Sequence, residues 1–162
     1  HGYIVNNGYA EEIETWSKNN PGVPLHFFWD KKNVPEETRQ TSDLTLHTLD
    51  DKLFIKQMAG CKAYSTTAGF ESICEAMYLN KPVLMVPAHI EQECNAFDAQ
   101  RAGAGIRCAC FDLDRLLQFI PSYHPSSGFR RWVSCADTLI TAEIQQVYEK
   151  RNPSLGINPS YS

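Results

Sequence analysis

Apolar residues follow two patterns along this chain: short continuous runs, and longer stretches with apolar positions three or four residues apart. The first pattern is typical of buried strands and the second of amphipathic helices. Six apolar runs lie at residues 2–6, 23–29, 44–49, 63–67, 82–87 and 106–111, and helical patterns separate all of them except the second and third. Strands that alternate with helices predict an α/β fold, here a three-layer, Rossmann-like doubly wound parallel sheet of about six strands.

The organisation of the chain follows from the same pattern. We expect a Rossmann-like domain over residues 1–120, a linker and last helix over 121–150, and a tail over 151–162. The last helix, predicted at 129–150, would pack on the domain or toward a missing N-terminal domain. Residues 30–43 are polar and predict a loop with a short helical turn. Because the chain begins at His1 rather than Met, we expect a piece of a longer polypeptide.

Composition excludes several classes of function. A net charge of −4 without a basic stripe argues against nucleic-acid binding. No apolar run is long enough to cross a bilayer, which predicts a cytoplasmic globular protein. The six cysteines lack CxxC spacing and predict reduced, buried thiols; a zinc site that uses Cys108 and Cys110 is the weaker alternative.

The turn after the fourth predicted strand carries groups suited to a phosphate. Gly69 permits a tight turn and a close approach of a ligand. The free amides of Phe70, Glu71 and Ser72 would then lie at the positive end of a helix dipole, with the Thr67 hydroxyl nearby. The alternative is an ordinary helix start, in which Ser72 and the residue three positions later form a capping box.

Glu75 lies one turn into that helix. A helical wheel places Phe70, Ile73, Cys74 and Met77 on the buried side, and Glu71 and Glu75 on the opposite flank. A carboxylate at this position can accept both hydroxyls of a ribose. The alternative is a solvated helix glutamate.

A second polar group follows the fifth predicted strand. Glu91 and Gln92 open a helix, and a carboxylate beside an amide suits the hydroxyls of a sugar. Asn95, one turn on, can brace the loop. His89 and His47 are possible acid–base groups by residue type, although an isolated histidine is more often a loop or surface residue.

Together these segments resemble the donor-binding, C-terminal half of GT-B glycosyltransferases, with the nearest likeness to family 28-type and glucuronosyltransferase-like enzymes. Four motifs carry the resemblance: TAGFESICEA at 67–76, NKPVLMVP at 80–87, EQECNA at 91–96 and GAG at 103–105. The likeness covers about forty residues, and outside them it consists mainly of the strand–helix alternation.

The resemblance implies a role for each motif. Thr67, Gly69, Phe70, Glu71 and Ser72 would hold the donor diphosphate, and Glu75 would hold the ribose. The transferred sugar would lie against His89, Glu91 and Gln92, and a uracil-type base near residues 49–53. Two positions depart from the family pattern: Thr67 stands where many relatives carry histidine, and Glu71 brings a charge that would repel a diphosphate.

The implied reaction is transfer of a hexosyl group from a nucleotide diphosphate sugar, most readily a UDP-sugar, to an acceptor hydroxyl. No permanently bound cofactor and no metal is expected. The general base and the acceptor site would belong to the N-terminal domain, so the fragment should be inactive alone. Peripheral contact with the inner face of a membrane would come through that missing part.

Two alternatives share the same scaffold. One is a nucleotide-sugar 2-epimerase domain, and the other is a non-catalytic nucleotide-sugar-binding subunit of a split glycosyltransferase. A dehydrogenase is disfavoured, because no G-x-G-x-x-G follows the first predicted strand.

Overall fold

Seven strands form one sheet in the computed structural model, which describes residues 1–125 and 127–151. The strands are β1 (Gly2–Ile4), β2 (Leu25–Trp29), β3 (Glu37–Arg39), β4 (Leu44–Thr48), β5 (Tyr64–Thr66), β6 (Val83–Met85) and β7 (Gly105–Arg107). Their order in the sheet is β3-β4-β2-β1-β5-β6-β7. All neighbouring pairs are parallel except β3 and β4.

Helices connect the parallel strands except β2 and β4, which are joined through residues 30–43 and β3. The helices are α1 (Asn7–Asn19), α2 (Asp51–Gly60), α3 (Phe70–Tyr78), α4 (Ile90–Arg101), α5 (Leu113–Phe119) and α6 (Ser127–Arg151), with a 3-10 turn at Ile120–Ser122. Three helices begin with a side-chain cap, in which Asn6, Asp50 and Asp112 accept a hydrogen bond from the backbone amide three residues ahead. These caps satisfy amides that have no partner within the helix.

The predicted Rossmann-like order of the parallel strands is confirmed. The chain builds outward from β1 to β2 and β4, then returns to the other side of β1 and continues through β5, β6 and β7. The direction therefore reverses between β1 and β5. In open α/β sheets this reversal leaves a crevice at the carboxyl ends of the two strands.

Residues 30–43 do not form the predicted loop with a helical turn. Glu37–Arg39 forms β3, which pairs antiparallel with β4 at the edge of the sheet, so the sheet has one strand more than predicted. The amides of Gln40 and Thr41 donate to the carbonyl of Leu44, at 2.9 and 3.3 Å, and close the connection. The strand is polar because an edge strand need not be buried on either face.

The core lies on both faces of the sheet. Phe27 and Phe28 are neighbours on β2 and point to opposite faces, yet their exposed fractions are only 1% and 0%. Ile4, Leu44 and Leu84 are also fully buried. Helices therefore cover both sides, as expected for a doubly wound sheet.

The chain divides into two compact units, residues 1–126 and 127–162. In the second unit α6 begins two residues before the predicted position and ends one residue after it. The predicted tail lies outside the described residues, apart from Arg151 at the end of α6. In residues 1–125 and 127–151, no helix combines the length and hydropathy needed to cross a membrane.

The prediction of buried thiols is wrong for most of the cysteines. All six are free, but only Cys108 is buried; Cys61 and Cys74 are half-buried, and the remaining three are exposed. β7 ends at Arg107, so Cys108 and Cys110 do not alternate within a strand.

Candidate functional site

A cavity of about 840 Å³ lies beside the start of α3, and residues at the starts of two helices form most of its wall. One side of the wall belongs to β1, the end of β4 and α2, and consists of Tyr3, Leu49, Asp51, Phe54 and Ile55. The other side belongs to α3 and the residue before it, and consists of Gly69, Phe70, Glu71, Ser72 and Glu75. Five of the predicted site residues therefore meet at one cavity. Leu49 and Asp51 belong to the segment predicted to lie near a nucleotide base.

The start of α3 has no side-chain cap. Gly69 occupies the cap position, and the Ser72 hydroxyl donates to the Gly69 carbonyl at 3.3 Å instead of accepting from a helix amide. The alternative of a capping box between Ser72 and Glu75 is therefore wrong. The amides of Phe70, Glu71 and Ser72 have no partner within the helix and remain available to an anion.

The turn into α3 depends on Ala68 rather than on its glycine. Ala68 has a φ of +66°, in the left-handed region, whereas Gly69 has a φ of −61° that any residue adopts. A Cβ at Gly69 would meet only the Ser72 hydroxyl oxygen, at 3.8 Å, which is an ordinary contact. The fold therefore does not require glycine at position 69. Because Gly69 has no side chain, the space at the start of α3 stays open.

Phe70 does not belong to the buried side of α3, contrary to the helical wheel. Its exposed fraction is 68%, and Ile73, Ala76 and Met77 form the buried side instead. Phe70 is the first residue of the helix and forms part of the cavity wall. Cys74 is half-buried.

The cavity wall is acidic. Asp51, Glu71 and Glu75 line it, and no lysine, arginine or histidine is among its described lining residues. Partial burial raises the pKa of Glu75, and the nearby charges of Glu71 and Asp51 raise it further. A dianionic ligand here would meet the helix amides on one side and these carboxylates on the other.

His89, Glu91 and Gln92 are not among the residues that line this cavity. His89 precedes α4 and is exposed, and Glu91 is exposed at the start of that helix. Gln92 is buried, and its side-chain oxygen accepts a hydrogen bond from the Ala88 amide at 2.9 Å. Gln92 therefore closes its own loop in this structure.

Asn95 connects this second group to the cavity. Its side-chain amide donates to the Ala68 carbonyl at 3.2 Å and to the Glu91 carboxylate at 3.0 Å. The brace expected from the sequence is present, and it fixes the start of α4 against the turn before α3.

Thr67 and His47 do not line the cavity. Thr67 is 1% exposed at the end of β5. His47 is 3% exposed on β4, and its Nε2 atom lies 2.9 Å from the Nδ1 atom of His26. Because His47 is buried and paired with another histidine, its position does not suit an acid–base group at this cavity.

The local backbone structure explains why both outer residues of the GAG motif are glycines. Gly103 follows the end of α4 with a φ of +80°, a conformation that suits glycine at a helix end. A Cβ at Gly105 would lie 1.9 Å from the Val83 carbonyl oxygen, so β7 can approach β6 only with glycine there. This motif shapes the sheet and does not line the cavity.

Sequence reasoning missed Tyr3, Phe54 and Ile55 in the cavity wall. Tyr3 lies on β1, and the other two lie on the first turns of α2. The available signal was positional, because Tyr3 lies near the carboxyl end of β1, beside the reversal in strand order, and α2 begins just past the carboxyl end of β4. Among residues 1–125 and 127–151, no group of three or more His, Cys, Asp or Glu residues is arranged to hold a metal ion.

The strand order and the position of the cavity define a Rossmann-like α/β domain, and comparison with solved structures identifies its class. The chain superposes on a glycosyltransferase of kitacinnamycin with a TM-score of 0.63 and 16% identity, covering 90% of this chain and 42% of that one. SnogD from Streptomyces nogalater gives a TM-score of 0.54 at 9% identity, covering 80% and 34% of the two chains. Os79 from O. sativa, in complex with U2F and trichothecene, gives 0.52 at 14% identity, with the same coverage. The fold is therefore that of GT-B glycosyltransferases.

A family model gives the second step of the identification. The model described as Glycosyl transferase family 1 matches residues 6–122, well over half of the chain. The chain belongs to this glycosyltransferase family. It spans between about one third and two fifths of the length of the three solved structures. No curated protein matches it significantly.

Proposed function

We propose that this chain is the donor-binding, C-terminal half of a GT-B glycosyltransferase and that it binds a nucleotide diphosphate sugar in the cavity beside α3. One observation carries the proposal: α3 begins without a side-chain cap, and its first residues and Glu75 line the same cavity. Helix amides without partners, at the positive end of a dipole, suit a diphosphate. Glu75, one turn deeper, then accepts the ribose hydroxyls.

The remaining wall suits a nucleoside. Leu49, Phe54 and Ile55 offer an apolar surface on the α2 side, where a planar base can lie, and Tyr3 offers a hydroxyl. The uracil-type base predicted from the resemblance would occupy this side. The cavity volume of about 840 Å³ accommodates a ligand of this size.

The transferred sugar would lie toward α4. Glu91 is exposed there and is held by Asn95, whereas Gln92 must exchange its hydrogen bond to the Ala88 amide for one to a sugar hydroxyl. His89, at the start of the same helix, is exposed and close in sequence. Helix amides stabilise the departing diphosphate, so this mechanism needs no metal ligand from the chain.

Several finer points belong to the same proposal. The nearest likeness is to family 28-type and glucuronosyltransferase-like enzymes, the donor is a UDP-hexose, and the protein works in the cytoplasm. The catalytic base and the acceptor site lie in an N-terminal domain, toward which α6 would pack. The chain alone should then bind the donor without transferring its sugar.

Isothermal titration with UDP, GDP, TDP and uridine tests the donor site. We expect UDP to bind and uridine to bind more weakly, because uridine lacks the diphosphate. Glu75→Gln should weaken UDP binding by roughly tenfold or more, since it removes a charged acceptor. Failure of all three nucleoside diphosphates to bind would contradict the proposal.

Gly69→Ala tests the diphosphate position separately. The added methyl group makes only an ordinary contact, with the Ser72 hydroxyl oxygen at 3.8 Å, so the unliganded melting temperature should stay the same, while UDP binding should weaken. Gly60→Ala is the matched control, because a Cβ there meets nothing within 4 Å and Gly60 does not line the cavity. Equal UDP affinity in the two alanine variants would argue against a diphosphate at α3.

Incubation of the chain with a radiolabelled UDP-hexose tests its activity. We expect neither sugar transfer nor epimerisation. Conversion of the labelled sugar without any acceptor would support the 2-epimerase alternative instead.

A further inference from the structure

Tyr64 carries a buried hydroxyl group that the proposed binding site does not use. Tyr64, on β5, is 0% exposed, and its hydroxyl oxygen has no hydrogen-bond partner. Removal of a buried hydroxyl from water without a partner is unfavourable, and native structures rarely leave such groups unpaired. A phenylalanine would fill the same space without this cost.

The surroundings of this hydroxyl point toward the cavity. Burial raises the pKa of Tyr64 most; the hydroxyls of Ser72 and Thr66, although not within hydrogen-bond geometry, lie close enough to lower it, and the charges of Glu75 and Tyr3 raise it further. Ser72, Glu75 and Tyr3 all line the cavity. Tyr64 therefore lies near residues of the cavity wall, and its ring also packs edge-to-face against Phe54 of that wall.

Ser72 is placed to connect Tyr64 with a ligand. In the structure its hydroxyl donates to the Gly69 carbonyl at 3.3 Å, a long bond that occupies the only proton it carries. The oxygen of the same hydroxyl can still accept a hydrogen bond. The Ser72 amide is one of the three free amides at the start of α3.

We propose that Tyr64 is a positioning residue for the donor diphosphate, acting through Ser72. When a phosphate oxygen occupies the start of α3, the Ser72 hydroxyl turns from Gly69 and donates to it. The Tyr64 hydroxyl then donates to the Ser72 oxygen and gains the partner that it lacks. The Thr66 hydroxyl, which is also buried without a partner, lies on the same face of β5 and can donate to the Tyr64 oxygen.

Charge makes this arrangement favourable. Each hydroxyl in a chain of hydrogen bonds polarises the next, and a terminal anion strengthens all of them. The inference rests on the proposed function, because it requires a phosphate at α3. It assigns a role to Tyr64 that does not require contact with the ligand.

A double-mutant cycle measured by isothermal titration tests the inference. The variants are Tyr64→Phe, Ser72→Ala and the double variant, each titrated with UDP and with uridine. Tyr64→Phe should weaken UDP binding about three- to tenfold and leave uridine binding unchanged. In the Ser72→Ala background the same change should have no further effect, since the connecting hydroxyl is already absent.

Stability measurements separate positioning from a structural role. Tyr64→Phe removes a buried polar group without a partner, so the unliganded melting temperature should stay the same or rise. Tyr9→Phe is the control, because Tyr9 packs edge-to-face against Phe111 and does not line the cavity. It should not change UDP binding.

The outcomes are distinct. If the unaltered chain does not bind UDP, both the donor site and the role of Tyr64 are wrong. If it binds UDP but Tyr64→Phe binds equally well, only the inference fails. Independent, multiplicative effects of the two substitutions, or an equal loss with uridine, would also overturn it.

Discussion

Asn95 donates one hydrogen bond to the Ala68 carbonyl, at 3.2 Å, and another to the Glu91 carboxylate, at 3.0 Å. The first bond joins α4 to a residue with a φ of +66°, a conformation that an alanine rarely adopts. The side chain thus stabilises a strained turn at the point where the proposed diphosphate site begins. It also orients a carboxylate proposed to contact the transferred sugar.

Asn95→Ala should lower the free energy of unfolding by about 1–2 kcal/mol, because it leaves the Ala68 carbonyl without this donor. Asn95→Asp should be more damaging, since a carboxylate would face both a carbonyl oxygen and Glu91. Urea unfolding of the two variants measures the difference. An aspartate variant as stable as the alanine variant would show that the two hydrogen bonds do not form.

Glu71 should oppose ligand binding. It is exposed at the second position of α3, lines the cavity and contributes to the raised pKa of Glu75. Glu71→Gln removes one negative charge near the proposed diphosphate and should tighten UDP binding about two- to fivefold, as expected for a partly screened charge. Isothermal titration at low and high salt gives the measurement, and the gain should shrink as salt increases.

Glu143→Gln is the control for this effect, because it changes the net charge equally on the exposed surface of α6. Its UDP affinity should equal that of the unaltered chain. Weaker UDP binding by Glu71→Gln would mean that Glu71 serves as a ligand-binding acceptor.

The parallel part of the fold could be predicted from the sequence because each of its elements carries a local signal. Strand runs such as residues 82–87 are continuously apolar, and the strands are separated by helical patterns with polar starts. β3 lacks such a signal, since its residues are polar and it exists through pairing with β4. Such pairing depends on residues distant in sequence, which a local pattern does not contain.

The candidate site was partly predictable for a related reason. Residues that follow one strand, such as Gly69 and Glu75, share a continuous segment and were found together. Phe70 was misplaced because a helical wheel treats all positions of a helix alike, whereas Phe70 is the first residue of α3 and is exposed. The bond between Gln92 and the Ala88 amide depends on the loop conformation. Tyr3 joins the cavity only through the sheet order.

Three glycines should respond differently to alanine. Gly60→Ala should be neutral or slightly stabilising, because it lies at the end of α2 with open space around its Cβ position. Gly103→Ala should lower the free energy of unfolding by about 1 kcal/mol, since the φ of +80° at this position is strained for alanine. Gly105→Ala should lower the free energy of unfolding by more than about 3 kcal/mol, because the added Cβ would overlap the backbone of Val83. Thermal unfolding should rank the variants in this order, and a stable Gly105→Ala chain would contradict the close pairing of β6 and β7.

The stability of the chain should decline in mild acid because of a histidine pair in the sheet. His26 Nδ1 lies 2.9 Å from His47 Nε2, and their rings stack with centroids 5.2 Å apart. Burial lowers the pKa of both histidines, and the mutual proximity lowers that of His47 further, although Glu37 partly opposes the shift.

The sign of the effect follows from proton linkage. Below a pH of about 6.5 the unfolded chain protonates these histidines, whereas the folded chain keeps them neutral to lower pH. The unfolded state therefore binds more protons, and the free energy of unfolding should fall as the pH is lowered from 7 toward 5.

His26→Gln removes one titrating group and the like charge beside His47, so the stability of this variant should fall less steeply over the same range. Urea unfolding at pH 7, 6 and 5 tests this, with His124→Gln as the control on an exposed histidine outside the sheet. Equal slopes for His26→Gln and the unaltered chain would place the acid sensitivity elsewhere.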